Sequence, residues 1–301
     1  MKRQVGKIFP RSDRAEYDLR GTGGRLPPAV RFGVRHHGVG PLVRDWRTRR
    51  RRSQLDLAYA VGVSPRHLSF VETGRSKPSP ELLLALADGL DVPLRERNVL
   101  LVAAGYAPRY SETALDATEM TRARSALQRL LDTHDPYPGV VIDRQWNVVL
   151  ANNAASLLTR ALPDHLVGPP LNVFRACLHP DGLARSTLNF AEWATYLVGQ
   201  LQRTALLTDD PELKRLADEI GEYPNIEALR SRRREAAFDE PELLVPLRLD
   251  VGGDELSLFT TLTTFGTPQD ITLSELAVEL FFPADERSDA WLRAAAALTV
   301  T

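Results

Sequence analysis

Two side chains four residues apart, Arg66 and Phe70, are suited by type and spacing to bind the edges of nucleic-acid bases. On a helix they lie on one side, while Leu68 and Val71 lie on the other and would pack inward. An arginine can chelate the O6 and N7 atoms of guanine, and an aromatic ring can pack against the methyl group of thymine. Three polar residues surround the pair: His67, Ser69 and Thr73. The stretch therefore predicts a helix that reads DNA, the alternative being an amphipathic helix with a solvated face.

A second group of polar residues suits contacts to phosphates, which position a protein on DNA without reading its sequence. It consists of Gln54 in the preceding helix and of three residues in the turn after the reading helix, Arg75, Ser76 and Lys77. The four arginines 49–52 offer further positive charge. For those four, a solvated helix face is an equally good interpretation.

Capping signals define the helices that would hold these side chains. Ser53 and Ser64 are suitable N-caps, and Pro65 follows at a first helical position, where its missing N–H costs nothing. Gly62 is typical of a helix end. Similar signals predict five helices between residues 41 and 109, the second and third joined by a tight glycine turn. That arrangement is a helix-turn-helix in an all-α domain.

Charge is distributed unevenly along the 301 residues, although the net charge is only −1. Residues 1–109 contain 21 Lys and Arg against 10 Asp and Glu, a net charge of +11, and the remainder has a net charge of −12. The basic part suits a polyanion. Residues 1–40, rich in arginine and glycine without an apolar period, are predicted to be a disordered basic arm, which either binds phosphates or has no role.

Residues 54–74 read QxxxAxxxGVSxxxLxxxExG. This spacing resembles the helix-turn-helix of the Xre/Cro/phage-repressor family, over residues 41–91 or so. The resemblance implies that Gln54 caps a helix and contacts a phosphate. It also implies that Arg47 of the first helix pairs with Glu72 at the end of the third, a pair that we expect to be structural.

Residues 119–301 predict a second domain, joined to the basic domain of residues 41–109 by a polar linker at 110–118. A helix is predicted over 120–134, and further helical patterns occupy residues 172–233. Five strand-like runs are predicted: 137–143, 146–152, 243–251, 255–265 and 271–282. The expected fold is α+β, with a five-stranded antiparallel sheet, helices stacked on one face and a cavity between the layers. The opening order of strand, turn, strand and helix is similar to that of PAS domains.

Seven short motifs are spread over most of residues 110–290. They are Tyr137-Pro138, Asp143-x2-Trp146-Asn147, Ala151-Asn152, Pro170-x-Asn172-x2-Arg175, His179-Pro180, Trp193 and Phe265-Gly266-Thr267-Pro268. In this order they resemble the MmyB-like ligand-binding domain that is found behind Xre-type helix-turn-helix domains in bacteria. The resemblance implies a PAS-like sensor associated with a fatty-acid-like ligand between helices and sheet.

A fatty acid would need one polar site for its head group and a dry tunnel for its chain. Asn172, Arg175 and His179, one turn apart if their helix continues, are the head-group candidates, since an arginine binds a carboxylate through two hydrogen bonds. Two alternatives stay open: Arg175 pairs with an acid of this acidic domain, and Asn172 caps its helix. The candidate tunnel walls are Trp193, Leu197, Leu201, Phe259 and Phe281, although each of these types is more often plain core.

The sequence lacks the spacings typical of zinc sites, phosphate-binding loops and serine-hydrolase elbows. Cys177, His179 and Asp181 lie within five residues, but a nucleophile, its base and its orienting group usually come from distant segments. The single cysteine excludes an intrachain disulfide and suits a reducing cytosol. We therefore expect no catalysis, no metal and no required cofactor, apart from a bound fatty acid or related lipid.

Together these patterns predict a bacterial transcriptional regulator, cytoplasmic and associated with the nucleoid, that binds double-stranded operator DNA. We expect a homodimer, because one short helix reads too few base pairs for adequate specificity. The second domain is expected to sense a small hydrophobic ligand; in the alternative it binds nothing and serves only for dimerisation. No insertion into a membrane is expected, since no run approaches about 18 apolar residues.

Overall fold

The computed structural model describes residues 38–160, 162–233 and 244–299, so the predicted arm at 1–40 lies almost wholly outside the described residues. Contacts group the described residues into two compact units, one of 38–112 with 269–271 and one of the remainder. Each unit has its own hydrophobic core. In the described ranges, no helix is both long and apolar enough to cross a membrane.

Five helices build the first unit, as the capping signals predict. They are α1 Val39–Arg49, α2 Gln54–Ala60, α3 Pro65–Glu72, α4 Pro80–Gly89 and α5 Leu94–Ala103. Helix α1 begins two residues before Pro41, which is tolerated because the first backbone N–H groups of a helix have no partner within it. One core unites the five helices and contains Trp46, Leu57, Leu68 and Leu86.

Local hydrogen bonds and a glycine define the ends of α2 and α3. The Ser53 hydroxyl accepts from the N–H of Asp56 at 3.0 Å, and that of Ser64 accepts from the N–H of His67 at 3.1 Å. Gly62, between the helices, has a φ of +75°, which favours glycine. Gly40 has a separate role: a Cβ there would lie 2.4 Å from the Val71 carbonyl oxygen, so α1 approaches α3 through a position without a side chain.

The second unit begins with helix α6 and then alternates short strands with helices. Its first half contains α6 Thr121–His134, β1 Gly139–Ile142, β2 Val148–Ala151, α7 Asn153–Thr159, α8 Asp164–Val167 and α9 Val173–Leu178. Its second half contains α10 Phe190–Thr208, α11 Pro211–Gly221, α12 Pro224–Arg233, β3 Leu247–Val251, β4 Asp254–Thr264, α13 Ile271–Glu275, β5 Ala277–Pro283 and α14 Glu286–Thr299.

The strands form one antiparallel sheet in the order β2-β1-β5-β4-β3, which confirms the predicted five-stranded α+β fold. One predicted strand was too long. Residues 271–282 contain the short helix α13 before β5, and Ile271 and Leu276 are both buried. The alternation of apolar and polar residues in Ile-Thr-Leu-Ser fits a strand, but so short an apolar run does not distinguish a strand from a buried helical turn.

Helices cover both faces of the sheet, not the single face that the sequence suggested. On one face, Val141 and Val278 pack with Leu131 of α6. Because side chains alternate along a strand, Glu279 projects from the other face of β5. There it lies close to Cys177 of α9. The sequence pattern indicates which residues are buried, but it does not indicate which helix covers which face of the sheet. For that reason it predicted all the helices on one face.

Candidate functional site

The outward side of α3 presents the residues that were predicted to read bases. Arg66 is exposed, and three others are half-buried: His67, Ser69 and Phe70. Leu68 and Val71 are each only 1% exposed, so the predicted inward side of the helix is its core side. The amphipathic division of the helix thus leaves its first turn, where Arg66 lies, open to a partner.

Phe70 forms contacts with two arginines. The guanidinium carbon of Arg66 lies 5.4 Å from the centre of the Phe70 ring, and that of Arg75 lies 5.9 Å from it. Such cation–π contacts stabilise a cation over a ring. Phe70 therefore keeps two positive charges close to its ring on α3, a role that the predicted contact with a thymine methyl group did not include.

The turn after α3 is fixed by hydrogen bonds back to the helix. The Thr73 hydroxyl donates to the Ser69 carbonyl at 2.7 Å, and the N–H groups of Arg75 and Ser76 donate to the Phe70 carbonyl at 2.8 and 3.1 Å. Thr73 therefore stabilises the end of α3, and its predicted base contact stays a prediction. Arg75 itself is exposed, so the fixed turn presents its charge to solvent.

Lys77, the last of the predicted phosphate contacts, is exposed and lies beside Tyr106. Its ammonium nitrogen is 4.6 Å from the centre of the Tyr106 ring. That contact keeps the charge near the surface of the first unit. The position suits a phosphate contact, which stays a prediction.

Glu72 joins three helices at the end of α3. Arg47 donates to it through two hydrogen bonds, Nε to Oε1 at 2.6 Å and one terminal nitrogen to Oε2 at 3.0 Å. The carboxylate raises the pKa of the Arg47 guanidinium. Gln54 Nε2 donates to the same carboxylate at 2.7 Å, and the Glu72 side chain is 1% exposed. The structural pair is therefore a triad. The Gln54 amide N–H is engaged inside the protein, and its predicted phosphate contact stays a prediction.

The arginines at 49–52 divide into two kinds. Arg49 pairs with Asp45, and Arg50 donates to the carbonyl groups of Leu90 and Asp91 at 2.9 and 3.0 Å. Residues 51 and 52 are exposed. Arg50 therefore stabilises the domain, whereas the exposed arginines at 49, 51 and 52 mainly add charge to its surface.

In the second unit, Arg175 pairs with an acidic residue, which was the alternative to its head-group role. It binds Glu219 through two hydrogen bonds of 2.8 and 2.6 Å, which lower the pKa of Glu219. The Tyr223 hydroxyl also donates to Glu219, at 2.7 Å. With its carboxylate-binding geometry occupied in this way, Arg175 is not arranged as a head-group site.

Asn172 likewise takes its alternative role, as the N-cap of α9. Its side-chain oxygen accepts from the N–H groups of Phe174 and Arg175 at 3.1 and 3.3 Å, and its amide donates to Asn147 and to the Gln145 carbonyl at 3.0 and 2.8 Å. Asn172 is only 2% exposed, with donors and acceptor all bonded. The structure therefore uses it to tie α9 to the turn between β1 and β2.

His179 does not follow Asn172 and Arg175 on one helix face, because α9 ends at Leu178. Its Nδ1 accepts from the Asp181 N–H at 3.0 Å, and its ring lies 5.3 Å from that of His165 and 5.1 Å from that of Tyr223. Arg175 and His179 therefore lie beside the same Glu219–Tyr223 pair, whereas Asn172 is engaged as the N-cap of α9. A head-group role for the three stays a prediction.

The predicted tunnel walls lie in different places. Trp193, Leu197 and Leu201 occupy one side of α10 and are 3%, 3% and 1% exposed. Phe259 pairs with Phe282 and so faces α6, whereas Phe281 projects from the opposite face of the sheet. Five residues on two faces cannot line one tunnel. The type of a residue alone does not indicate on which face of a sheet its side chain lies.

A groove of about 160 Å³ lies between α10 and α12, on the side of α10 away from Trp193. Its lining consists of Ala194, Thr195, Val198, Gly199, Gln202, Ile226 and Leu229. Small-molecule pockets have volumes of roughly 300–1,000 Å³. The groove is therefore too small, as it stands, for a long-chain ligand.

Two buried polar atoms near Cys177 escaped the sequence interpretation. Glu279 Oε2 and the Trp193 indole nitrogen have no hydrogen-bond partner among the described residues. Burial raises the pKa of Glu279 to about 7 and that of Cys177 to about 12. The sequence did contain a signal for this site, because Glu279 stands within the apolar strand AVELFFP. A charged residue at a core position needs a partner.

Comparison with known proteins identifies both units. Residues 43–97 match a helix-turn-helix family, and residues 123–295, more than half of the chain, match the MmyB-like transcription regulator ligand binding domain. The chain belongs to this MmyB-like family. This MmyB-like chain is therefore a DNA-binding transcriptional regulator with an N-terminal Xre-type domain, and the predicted family is confirmed.

Relatives of this MmyB-like regulator match part of its length. It is 35% identical over 88 residues to the transcriptional regulator ClgR of Mycobacterium tuberculosis, in strains CDC 1551 / Oshkosh and ATCC 25618 / H37Rv. The alignment covers 29% of this chain and 76% of each relative. The MmyB-like family and these relatives are described as transcription regulators.

Proposed function

We propose that this MmyB-like regulator is a homodimer that binds operator DNA through the outward side of α3 and responds to a small hydrophobic molecule of the fatty-acid type. The observation that carries the DNA-binding part is the exposed first turn of α3, with Arg66 and Arg75 gathered around Phe70. In this proposal the protein acts on the bacterial chromosome in the cytoplasm, without catalysis and without a required cofactor.

The reading role of α3 is supported by what surrounds it. The first turn of a recognition helix is the part that meets base edges in the major groove. Arg66 stands there, and Arg75 and Lys77 follow in the turn that would meet the phosphates. The net charge of +11 on residues 1–109 favours this contact over long range.

The homodimer follows from the size of the reading surface. An eight-residue helix contacts few base pairs, whereas operators of helix-turn-helix regulators present two half-sites to a two-fold symmetric protein. Two copies double the contacts and select the spacing between half-sites as well. Specificity for one site in a bacterial chromosome needs this additional discrimination.

The ligand-sensing part is supported by the family of the second unit. It is also supported by the buried polar atoms of Glu279 and Trp193, which have no hydrogen-bond partner among the described residues. A ligand acts on DNA binding only through a difference in its affinity for two arrangements of the protein. The alternative, a second unit that serves dimerisation alone, is favoured by the full burial of Trp193, Leu197 and Leu201.

Two experiments on the full-length protein test this proposal. Selection of bound duplexes from a random DNA pool should yield one recurrent motif, and its absence would refute sequence-specific binding. Mass spectrometry of organic extracts should find a co-purified lipid, and fatty acids of 12–18 carbons should raise the melting temperature. If neither occurs, the second unit is a dimerisation scaffold and the sensing part is wrong.

A further inference from the structure

Helix α10 contains one acid and one base among its 19 residues, Glu192 and Arg203. It lies in the acidic part of the chain, since residues 110–301 contain 17 Lys and Arg against 29 Asp and Glu, a net charge of −12. Two copies of so acidic a unit repel each other, and a contact between copies therefore needs a surface on which the charges balance. The surface of α10 meets this condition.

One side of α10 faces away from the core of the second unit. Four residues follow on it at intervals of three or four and so lie on the same side of the helix, which we call the α10 stripe. They are Glu192, Tyr196, Gly199 and Arg203. Leu197 and Leu201, by contrast, are almost fully buried. The α10 stripe is therefore presented to a partner.

Exposed apolar side chains accompany the α10 stripe. Leu188 lies directly before the helix, Leu206 and Leu207 lie in its last turn, and all three are exposed, Leu206 by 76%. Together with Tyr196 they make up half of the exposed large apolar side chains that the structure describes in the second unit. A concentration of such side chains on one element is typical of an interaction surface.

Gly199 stands in the middle of the α10 stripe, where a glycine is unfavourable compared with an alanine. Nothing in the described part of the chain requires it. A Cβ at this position would meet only a terminal nitrogen of Arg203, the flexible end of a side chain, at 3.5 Å. A second helix that packs closely on α10 would account for the missing side chain.

The charges of the α10 stripe are available for an intermolecular contact. Glu192 accepts from Asn189 at 2.9 Å and Arg203 donates to Gln200 at 3.2 Å, and neither forms an ion pair among the described residues. They cannot pair with each other, because they lie roughly 16 Å apart along the helix. That separation exceeds the screening length of about 8 Å at physiological salt.

The surface residues of α10 are arranged in pairs about one point of the helix, midway between residues 197 and 198. The pairs are Glu192 with Arg203, Tyr196 with Gly199, and Leu188 with Leu207. Two antiparallel copies of α10 that meet at this point place each residue opposite the other member of its pair. An acid then meets a base, a large ring meets a glycine and a leucine meets a leucine. Each contact occurs twice, as a two-fold symmetric interface requires.

We infer that the α10 stripe is an interface between two copies of this chain, which pair through antiparallel α10 helices about a two-fold axis. This inference rests on the homodimer of the proposed function and assigns a contact of that homodimer to the second unit. The contact gives the second unit a role in assembly that needs no ligand.

Charge reversal tests the pairing of Glu192 with Arg203 across the interface. Arg203→Glu and Glu192→Arg each replace two attractive contacts by two repulsive ones, and each should raise the dissociation constant of the dimer about tenfold. The double variant restores opposite charges and should dimerise about as tightly as the natural protein. Sedimentation of the full-length protein measures the constants. Arg122→Glu, at an exposed position of α6, is the matched control and should change nothing.

Gly199→Trp tests the close approach of the two helices. Its side chain has open space in a single copy but collides with the partner helix at two symmetric places, so the dissociation constant should rise about a hundredfold. Gly266→Trp is the matched control, because nothing lies within 4 Å of a Cβ there. Circular dichroism monitors the folding of every variant.

Each result bears on the inference. A natural protein that dimerises with a constant unchanged by Gly199→Trp would overturn it and leave the homodimer standing. A double charge variant that stays as weak as the single ones would overturn it as well. If the natural protein is a monomer at concentrations at which it binds its operator, this inference and the homodimer fail together. The reading role of α3 is then judged on its own selection experiment.

Discussion

Glu72 is buried at the end of α3, with its two oxygens bonded to Arg47 and Gln54. The carboxylate thereby fixes α3 against α1 and α2, at the start of the turn that we propose contacts phosphates. The pairing of Arg47 with Glu72 followed from the resemblance of residues 54–74 to a known helix-turn-helix. The hydrogen bond from Gln54 to Glu72 was not predicted, because the side-chain amide of a glutamine can donate equally well to a phosphate or to a carboxylate.

Glu72→Gln should destabilise the first unit by about 3 kcal/mol, because it leaves the Arg47 guanidinium partly buried without its charge partner. Urea unfolding followed by circular dichroism measures the change. Asp45→Asn is the control, since it removes the exposed pair with Arg49 and should cost less than about 1 kcal/mol. Equal effects of the two substitutions would show that the Glu72 triad does not stabilise the unit.

Glu279 should make the second unit less stable as the pH rises. Its folded pKa, about 7, lies above its ordinary value of 4.5, so the folded state binds more protons between these values and stability falls across that window. The loss is roughly 3 kcal/mol at neutral pH and above. Glu279→Gln should therefore be more stable than the natural protein above pH 7 and similar to it below 4.5. Melting temperatures recorded against pH measure this, and parallel curves for the two proteins would contradict the burial of an unpaired carboxyl group.

At the scale of elements, the contact between α1 and α3 depends on the missing side chain of Gly40. Gly40→Ala would place its Cβ 2.4 Å from the Val71 carbonyl oxygen and 2.6 Å from that of Glu72, so α1 must move away. We expect a loss of about 1–3 kcal/mol, in the range of overpacked interiors. Gly38→Ala is the matched control, because nothing lies within 4 Å of a Cβ there. Thermal unfolding measures both, and an unaffected Gly40→Ala would show that the helices separate without cost.

The elements that the sequence predicted well are those with local signals. Ser53, Ser64 and Gly62 define the ends of α2 and α3 through hydrogen bonds and a positive φ that depend on near neighbours alone. The division of β5 from α13, and the covering of both sheet faces, depend on contacts distant in sequence. No local pattern contains those contacts.

The candidate ligand site shows the same limit. Asn172 and Arg175 belong to motifs that identified the family, and the structure uses both to hold α9 in place. Asp143 and Asn152 of other motifs likewise accept from backbone N–H groups at the turns of the second unit. These motifs therefore predict the fold, while Glu279 is visible as unpaired only once its surroundings are known.

For the whole molecule, the proposed homodimer predicts the form of its operator. A two-fold symmetric protein with one reading helix per copy should select inverted repeats, with half-site centres about 10 base pairs apart or a multiple of that. Sequencing of the selected duplexes measures the symmetry and the spacing, and sedimentation measures the mass of the protein. A selected motif without an inverted repeat, on a protein that sediments as a monomer, would refute the dimer.

We propose that α3 reads bases through Arg66, while the turn after it contacts phosphates. The most direct measurement is the affinity of Arg66→Ala and Lys77→Ala for the selected operator and for its variants, at several salt concentrations. We expect Arg66→Ala to lose about 1–3 kcal/mol on the operator and to discriminate less at one base position. Lys77→Ala should weaken all sequences alike and reduce the salt slope by about one. Unchanged operator discrimination by Arg66→Ala would contradict the assignment of α3 as the reading helix.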